Sequence, residues 1–323
     1  MKKFLEDLEA ELKNNNLKDK EVKEILQDHE EMISEALEEG LTEEEIVNKF
    51  GDPKKLAKEL ADLNMHQETE VDFDEEGFKL YKTFELTQKE LNVQVGLVSE
   101  DIQYIADDEK SIRVYYKGNP ELNKYEVEYK DGTFSLKSPK NSSFNVFRRK
   151  GTETQIEFLL KLPKECLVQN MNHSGVHCDV SLNKINSKIM HFKTTNGDIS
   201  INNCVTDSLH VETVNGDVEL SNFITNSLRT SQINGNIEIK KSIVKEDFTS
   251  NTVSGDINLC EFECKNGVFR TVSGDIVGNE SYFEAITLQS VSGDVTISNK
   301  DETRPIIVKA KHSVSGDIKI NTK

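Results

Sequence analysis

The sequence predicts a multidomain chain of α and β: a small N-terminal helical bundle, then an all-β solenoid of β-helix type. Three observations carry this. Apolar residues recur at spacings of three and four through the first 64 positions, the period of one helix face. From about Val71 they alternate instead, as the inward face of a strand does. From Thr195 a five-residue signature, typified by Val272-Ser273-Gly274-Asp275-Ile276, returns at intervals of 19 or 20 residues, with a last interval of 23, the mark of a stacked repeat.

Length and charge bound the rest. At 323 residues the chain exceeds one ordinary core. Hydrophobic residues make up 35% and charged ones 30%, a wet composition that suits a solenoid with a thin core and much surface. The net charge of −18 repels nucleic-acid backbones and anionic lipid, so neither is expected as a direct partner. The first 70 residues hold 21 acidic and 10 basic side chains, a net of −11, which reads as a solvated face. No apolar run reaches the roughly 18 residues of a membrane helix, so no membrane span is expected. The start, Met1-Lys2-Lys3-Phe4, lacks the apolar stretch of an export signal. A cytoplasmic protein, at most membrane-peripheral, is therefore expected. The five cysteines, Cys166, Cys178, Cys204, Cys260 and Cys264, have no framework spacing and suit a reducing compartment.

Residues 1–64 form the helical module. Phe4, Leu5, Leu8 and Leu12 share one face, and Asn14-Asn15-Asn16 breaks the pattern. Asp19 caps a second helix whose apolar face runs through Val22, Ile25, Leu26, His29, Met32, Ile33, Ala36 and Leu37. Gly40 stops it, because glycine reaches the left-handed conformation of a helix end. Thr42 and Glu45 make a capping box for a third helix with Ile46 and Phe50, which Gly51 ends. Asp52 and Pro53 open a fourth, with Leu56, Ala57 and Leu60 inward. So few short helices give a marginal core, which points to a partner surface. His29 stands without a second metal ligand at helical spacing and reads as a core histidine.

These helix stops and caps, from Glu39-Gly40-Leu41-Thr42 to Phe50-Gly51-Asp52-Pro53, resemble the HAAS signalling domain of Gram-positive bacteria. The resemblance implies a cytoplasmic module that binds a protein, a PadR-type transcription regulator or a second copy of itself. It also implies membrane helices downstream in many relatives, a pattern from which this sequence departs.

Residues 65–77 read as an acidic linker, and 78–323 as the solenoid. Within it, 78–170 are irregular strands without a clean period, and 171–323 are regular coils. The corners are Gly197-Asp198, Gly216-Asp217, Gly235-Asn236, Gly255-Asp256, Gly274-Asp275, Gly293-Asp294 and Gly316-Asp317. Glycine permits positive φ there. The Ser or Asn before it and the Asp after it are expected to bond nearby amides within their own turn. Residues two and four after glycine, such as Ile199 and Ile201 or Val218 and Leu220, form the inward face of a strand. One coil cannot bury that face alone, so coils stack.

The repeated corner, with the lead-in Lys161-Leu162-Pro163-Lys164, resembles a bacterial family of proposed adhesins built from β-strand repeats. Its function is largely undefined, and the resemblance implies the fold more than any activity.

Four groupings are candidate sites. The stacked aspartates form either a calcium edge or a row of turn caps, and the caps are favoured because the nine-residue period of calcium β-rolls is absent. His173, His177, Cys178 and His191 gather near the first regular coils, but no zinc spacing completes them. His191, His210 and Arg229 share one outward register and read as a polar surface ladder rather than a ligand stripe. Cys260 and Cys264 miss the redox spacing and read as small buried apolar residues. The short regular coils lack the long loops on which β-helix enzymes gather their acids. No catalytic residue, metal or cofactor is assigned. The expected function is a non-enzymatic signalling or scaffold protein with an extended β surface. The alternative is an envelope-associated binding module or adhesin.

Overall fold

A computed structural model describes residues 2–14, 22–23, 25–27, 29, 33, 42, 50–57, 77–139, 155–299 and 304–322. The chain divides into two compact units, Met1–Asp72 and Phe73–Lys323.

In the first unit, helix α1 (Lys2–Asn14) buries Phe4, Leu8 and Leu12, spaced one turn apart. Val22 and Ala57 join the same apolar cluster, with Leu5, Ile25, Leu26, Phe50 and Leu56 at its margin. The Phe4 and Phe50 rings stack at 5.7 Å. His29 is buried beside Phe50, with Nδ1 2.8 Å from the Ile25 carbonyl, so it is a core residue. The Asp52 carboxylate accepts the Lys54 amide at 2.8 Å, which caps the helical turn over residues 53–57. Asp19, Gly40, Glu45, Leu60 and residues 65–76 of the linker lie outside the described residues.

Among the described residues the second unit is one sheet of 19 strands wound into a β-solenoid. The first seven are β1 (Lys79–Glu85), β2 (Glu90–Gly96), β3 (Asp101–Asp107), β4 (Ser111–Lys117), β5 (Glu126–Lys130), β6 (Thr133–Lys137) and β7 (Glu157–Pro163). Then come β8 (Leu167–Ser174), β9 (Val180–Asn183) and β10 (Ser187–Asn196). Four long strands make complete coils: β11 (Ile199–Asn215), β12 (Val218–Asn234), β13 (Ile237–Ser254) and β14 (Ile257–Ser273). The last coils are β15 (Ile276–Asn279) with β16 (Tyr282–Ser292), and β17 (Val295–Asn299) with β18 (Ile307–Ser315); β19 (Ile318–Thr322) ends the stack.

From β8 onward the pairings between coils are parallel, with a register shift in β12–β13, β13–β14 and β16–β18. The residues read as irregular strands belong to the same stack, but out of chain order. Strands β2 and β3 pair in parallel with β8 and β9 on one side, and with β6 and β7 on the other. The first coil in the chain is thus not the terminal one in space, which is why no period shows there. Strands β1, β4 and β5 pair antiparallel and close that end of the stack. Covering the end matters because a bare strand edge is a template for unwanted pairing.

The core is a single column. Residues two and four after the corner glycines, from Ile199 and Ile201 to Val295 and Ile297, are almost wholly buried. Burying each such side chain contributes about 1.5–3 kcal/mol. Phe248, Phe262, Phe269 and Phe283 interlock across the two strand sides, with ring centroids 5.0–5.7 Å apart. Near the capped end the Glu100 carboxylate is buried and accepts four bonds, from the Val98 and Ser99 amides, Ser138 Oγ and Tyr125 Oη. Burial pushes its carboxyl up, but the bonds from Ser138, Ser99, Tyr125 and Val98 outweigh that and leave it below the usual value.

Candidate functional site: the outer face of the coils

Each corner glycine, from Gly197 to Gly316, has φ between +121° and +154°. A second demand falls on the same residue. A Cβ at Gly255 would overlap the carbonyl oxygen of Gly235 in the preceding coil, and one at Gly274 would overlap that of Gly255. The corners stack backbone against backbone.

The corner aspartates do not cap their own turns. Asp198 Oδ1 accepts the amide of Asp217 at 2.8 Å, and Asp217 Oδ1 accepts that of Asn236 at 2.7 Å. The row continues through Asn236, Asp256, Asp275 and Asp294 to the amide of Asp317. Each acid therefore bonds the next coil rather than its own. Sequence reasoning missed two members at the start: Asp179 accepts from Asp198, and Asp101 accepts from Asp179. Asp179 was legible, lying one repeat before Asp198. Asp101 was not, because it comes from strand β3. Beside this row, Asn234 donates to Asn215 and Asn215 to Asn196, a second ladder of side-chain amides.

Six coils have another left-handed turn that sequence reasoning also missed. Lys184, Asn203, Asn222, Lys241, Glu261 and Glu280 have φ between +47° and +58°. Only the asparagines there are residues that take this conformation readily, so the signal was weak.

The residue two before each corner glycine points outward. Ile233, Val253, Val272, Val291 and Val314 are 45–71% exposed, an aliphatic row along successive parallel strands. Monomers do not usually line up so many half-exposed aliphatics without a use for them.

The histidines and cysteines separate by depth. His173 and Cys178 lie inside, with Cys178 Sγ 3.5 Å from His173 Nε2 and Tyr104 Oη 2.8 Å from its Nδ1. Burial pushes the His173 imidazole down to about 3 and the Cys178 thiol upward. His177 and His191 face outward, so these four do not converge. Cys204 and Cys264 are buried thiols, each pushed up to about 12; Cys260 is only half-buried, unlike its expected role. His191 and His210 stack in register, with Arg229 on the next rung. No helix among the described residues is long and apolar enough to cross a membrane.

A stacked parallel sheet with an outward aliphatic row and an inter-coil aspartate ladder defines a β-solenoid protein, here joined to an N-terminal helical module. Residues 89–323 match the model of the Toastrack DUF4097 family, and the chain belongs to that family. Residues 3–59 match HAAS. Two solved structures are similar to this chain. One is a proposed adhesin from Bacteroides fragilis, 17% identical, covering 75% of this chain and 97% of its own, with a TM-score of 0.47. The other is a proposed lipid-binding protein from Parabacteroides distasonis, 14% identical, covering 74% and 96%, with a TM-score of 0.52. No curated protein matches the sequence.

Proposed function

We propose that this chain is a non-enzymatic scaffold of a signalling system. The helical module binds a protein partner, and the solenoid presents its outer sheet to a second one. The observation that carries this is the aliphatic row from Ile233 to Val314, held half-exposed on a rigid stacked sheet. The HAAS match supports the role of the first unit. Its acid excess favours a partner with a basic docking face, such as a PadR-type regulator; self-association is the other outcome. The protein works in the cytoplasm or at the inner membrane surface. An envelope-associated binding role is the competing reading, and fractionating the native cells separates the two.

The test is sedimentation of the full chain, alone and mixed with a purified PadR-type regulator from the same cells. Two variants accompany it: Glu6→Lys with Asp7→Lys on the exposed face of α1, and Val272→Asp on the aliphatic row. A salt-sensitive complex lost in the charge-reversed variant supports the reading. A full chain that stays monomeric and ignores the regulator overturns the role given to the first unit.

A further inference from the structure

We infer that His191, His210 and Glu212 form a binding site for a divalent transition metal of the zinc class on the outer face of the solenoid. The site follows from register. Strands β10 and β11 pair so that His191 lies opposite His210, and Lys193 opposite Glu212. Residues two apart on a strand share a face, which brings Glu212 beside both imidazoles. The two rings stack with centroids 4.6 Å apart and planes 6° from parallel. Glu212 Oε1 lies 3.1 Å from His210 Nε2 and 3.7 Å from His191 Nε2. The other oxygen, Oε2, holds Lys193 Nζ at 2.9 Å, which fixes the carboxylate with Oε1 toward the histidines.

Three features point to a ligand rather than a plain surface ladder. Both Nε2 atoms are shielded from solvent, although the side chains themselves are about one-third exposed, and neither makes a well-formed hydrogen bond, Glu212 Oε1 being the acceptor near both. Buried polar atoms normally bond well, so two convergent ones that fail to do so call for an explanation. The three donor atoms lie within 4.8 Å of one another, a metal-competent grouping among the described residues. Their spacing also fits: bonds of about 2.0–2.1 Å in a tetrahedron put ligand atoms roughly 3.3 Å apart. Two imidazoles and one carboxylate select zinc, nickel or copper over calcium and magnesium, which prefer an all-oxygen shell.

The geometry also sets what must move. A metal sits in the plane of each imidazole it binds, and parallel rings cannot both meet that condition. One ring therefore has to turn about its Cβ–Cγ bond, as an outward side chain can. Lys193 and Arg229 are the cations on adjoining rungs; they oppose added positive charge and keep affinity moderate. Three protein donors leave a fourth position for water or for a donor from outside.

The test is calorimetric titration of the tag-free full chain with Zn²⁺, and with Co²⁺ followed by visible absorption. Parent, His191→Gln, His210→Gln and Glu212→Gln are compared, with circular dichroism to check the fold. One ion per chain is expected, with affinity at least tenfold weaker in either histidine variant and a tetrahedral cobalt spectrum in the parent. Calcium and magnesium should give no heat. Absence of saturable binding overturns the site, and so does binding unchanged in both histidine variants, which would place the ion on the cysteines or on other histidines.

Discussion

Asp198 Oδ1 accepts the backbone amide of Asp217, 2.8 Å away in the next coil. The bond joins two equivalent residues one repeat apart, so each aspartate caps its neighbour and is needed by it. Like charges stacked at the strand spacing of about 4.8 Å repel by roughly 1 kcal/mol per pair in water. The amide that each acid accepts offsets that repulsion locally.

Asp256 therefore separates charge from capping. Asn236 already fills the equivalent place and accepts the Asp256 amide at 3.0 Å. Asp256→Asn should be neutral or slightly stabilising at low salt, whereas Asp256→Ala should lose about 1 kcal/mol by leaving the Asp275 amide without its acceptor. Melting curves with calcium and with chelator complete the test. A calcium-dependent rise in the parent, lost in Asp256→Asn, would make the row a metal edge instead.

Gly255 answers two constraints at once, φ of +130° and contact with the Gly235 carbonyl. Gly255→Val should cost about 2–5 kcal/mol, combining backbone strain with overpacking. Lys265→Val removes only an exposed ion pair to Glu246 and should leave the melting temperature nearly unchanged. Equal melting temperatures for the two would refute the close stacking of the corners.

Glu261 stands in the left-handed region with φ of +52°. A non-glycine residue there costs about 1–2 kcal/mol, and asparagine bears it best. Glu261→Asn should stabilise by a few tenths of a kcal/mol, and Glu261→Val should destabilise by about 1 kcal/mol or more. Denaturant midpoints of the three proteins decide it.

His173 makes the core sensitive to acid. Its folded value is pushed down to about 3 from an ordinary 6.5, so below 6.5 the unfolded chain takes up a proton that the folded one refuses. Stability should be fully present above pH 6.5 and fall as pH drops toward 3. His173→Phe strands the Tyr104 hydroxyl and should cost about 1–3 kcal/mol at pH 7. It should also flatten the acid limb between pH 6.5 and 3. A limb of unchanged slope in the variant would assign the acid sensitivity to other groups.

The sequence by itself determined the repeat. Seven corners in register, with apolar residues two and four after each glycine, leave stacking as the way to bury that face, because a strand's side chains alternate strictly. It also determined the N-terminal module through local signals, among them the Asp52 cap, since caps act within a few residues. Three matters were settled only by tertiary structure. The order of the first coils was one, because β2 and β3 slot between strands that come 41 to 78 residues later, and periodicity measures only chain order. The partner of each aspartate was another: Asp198 could bond its own turn or the next, and the stacking distance chose the next. The third was the company the histidines keep. The repeat already put His191 and His210 in one outward register, but only the structure turns His173 and Cys178 inward, away from His191, and sets the Glu212 carboxylate beside both outer imidazoles.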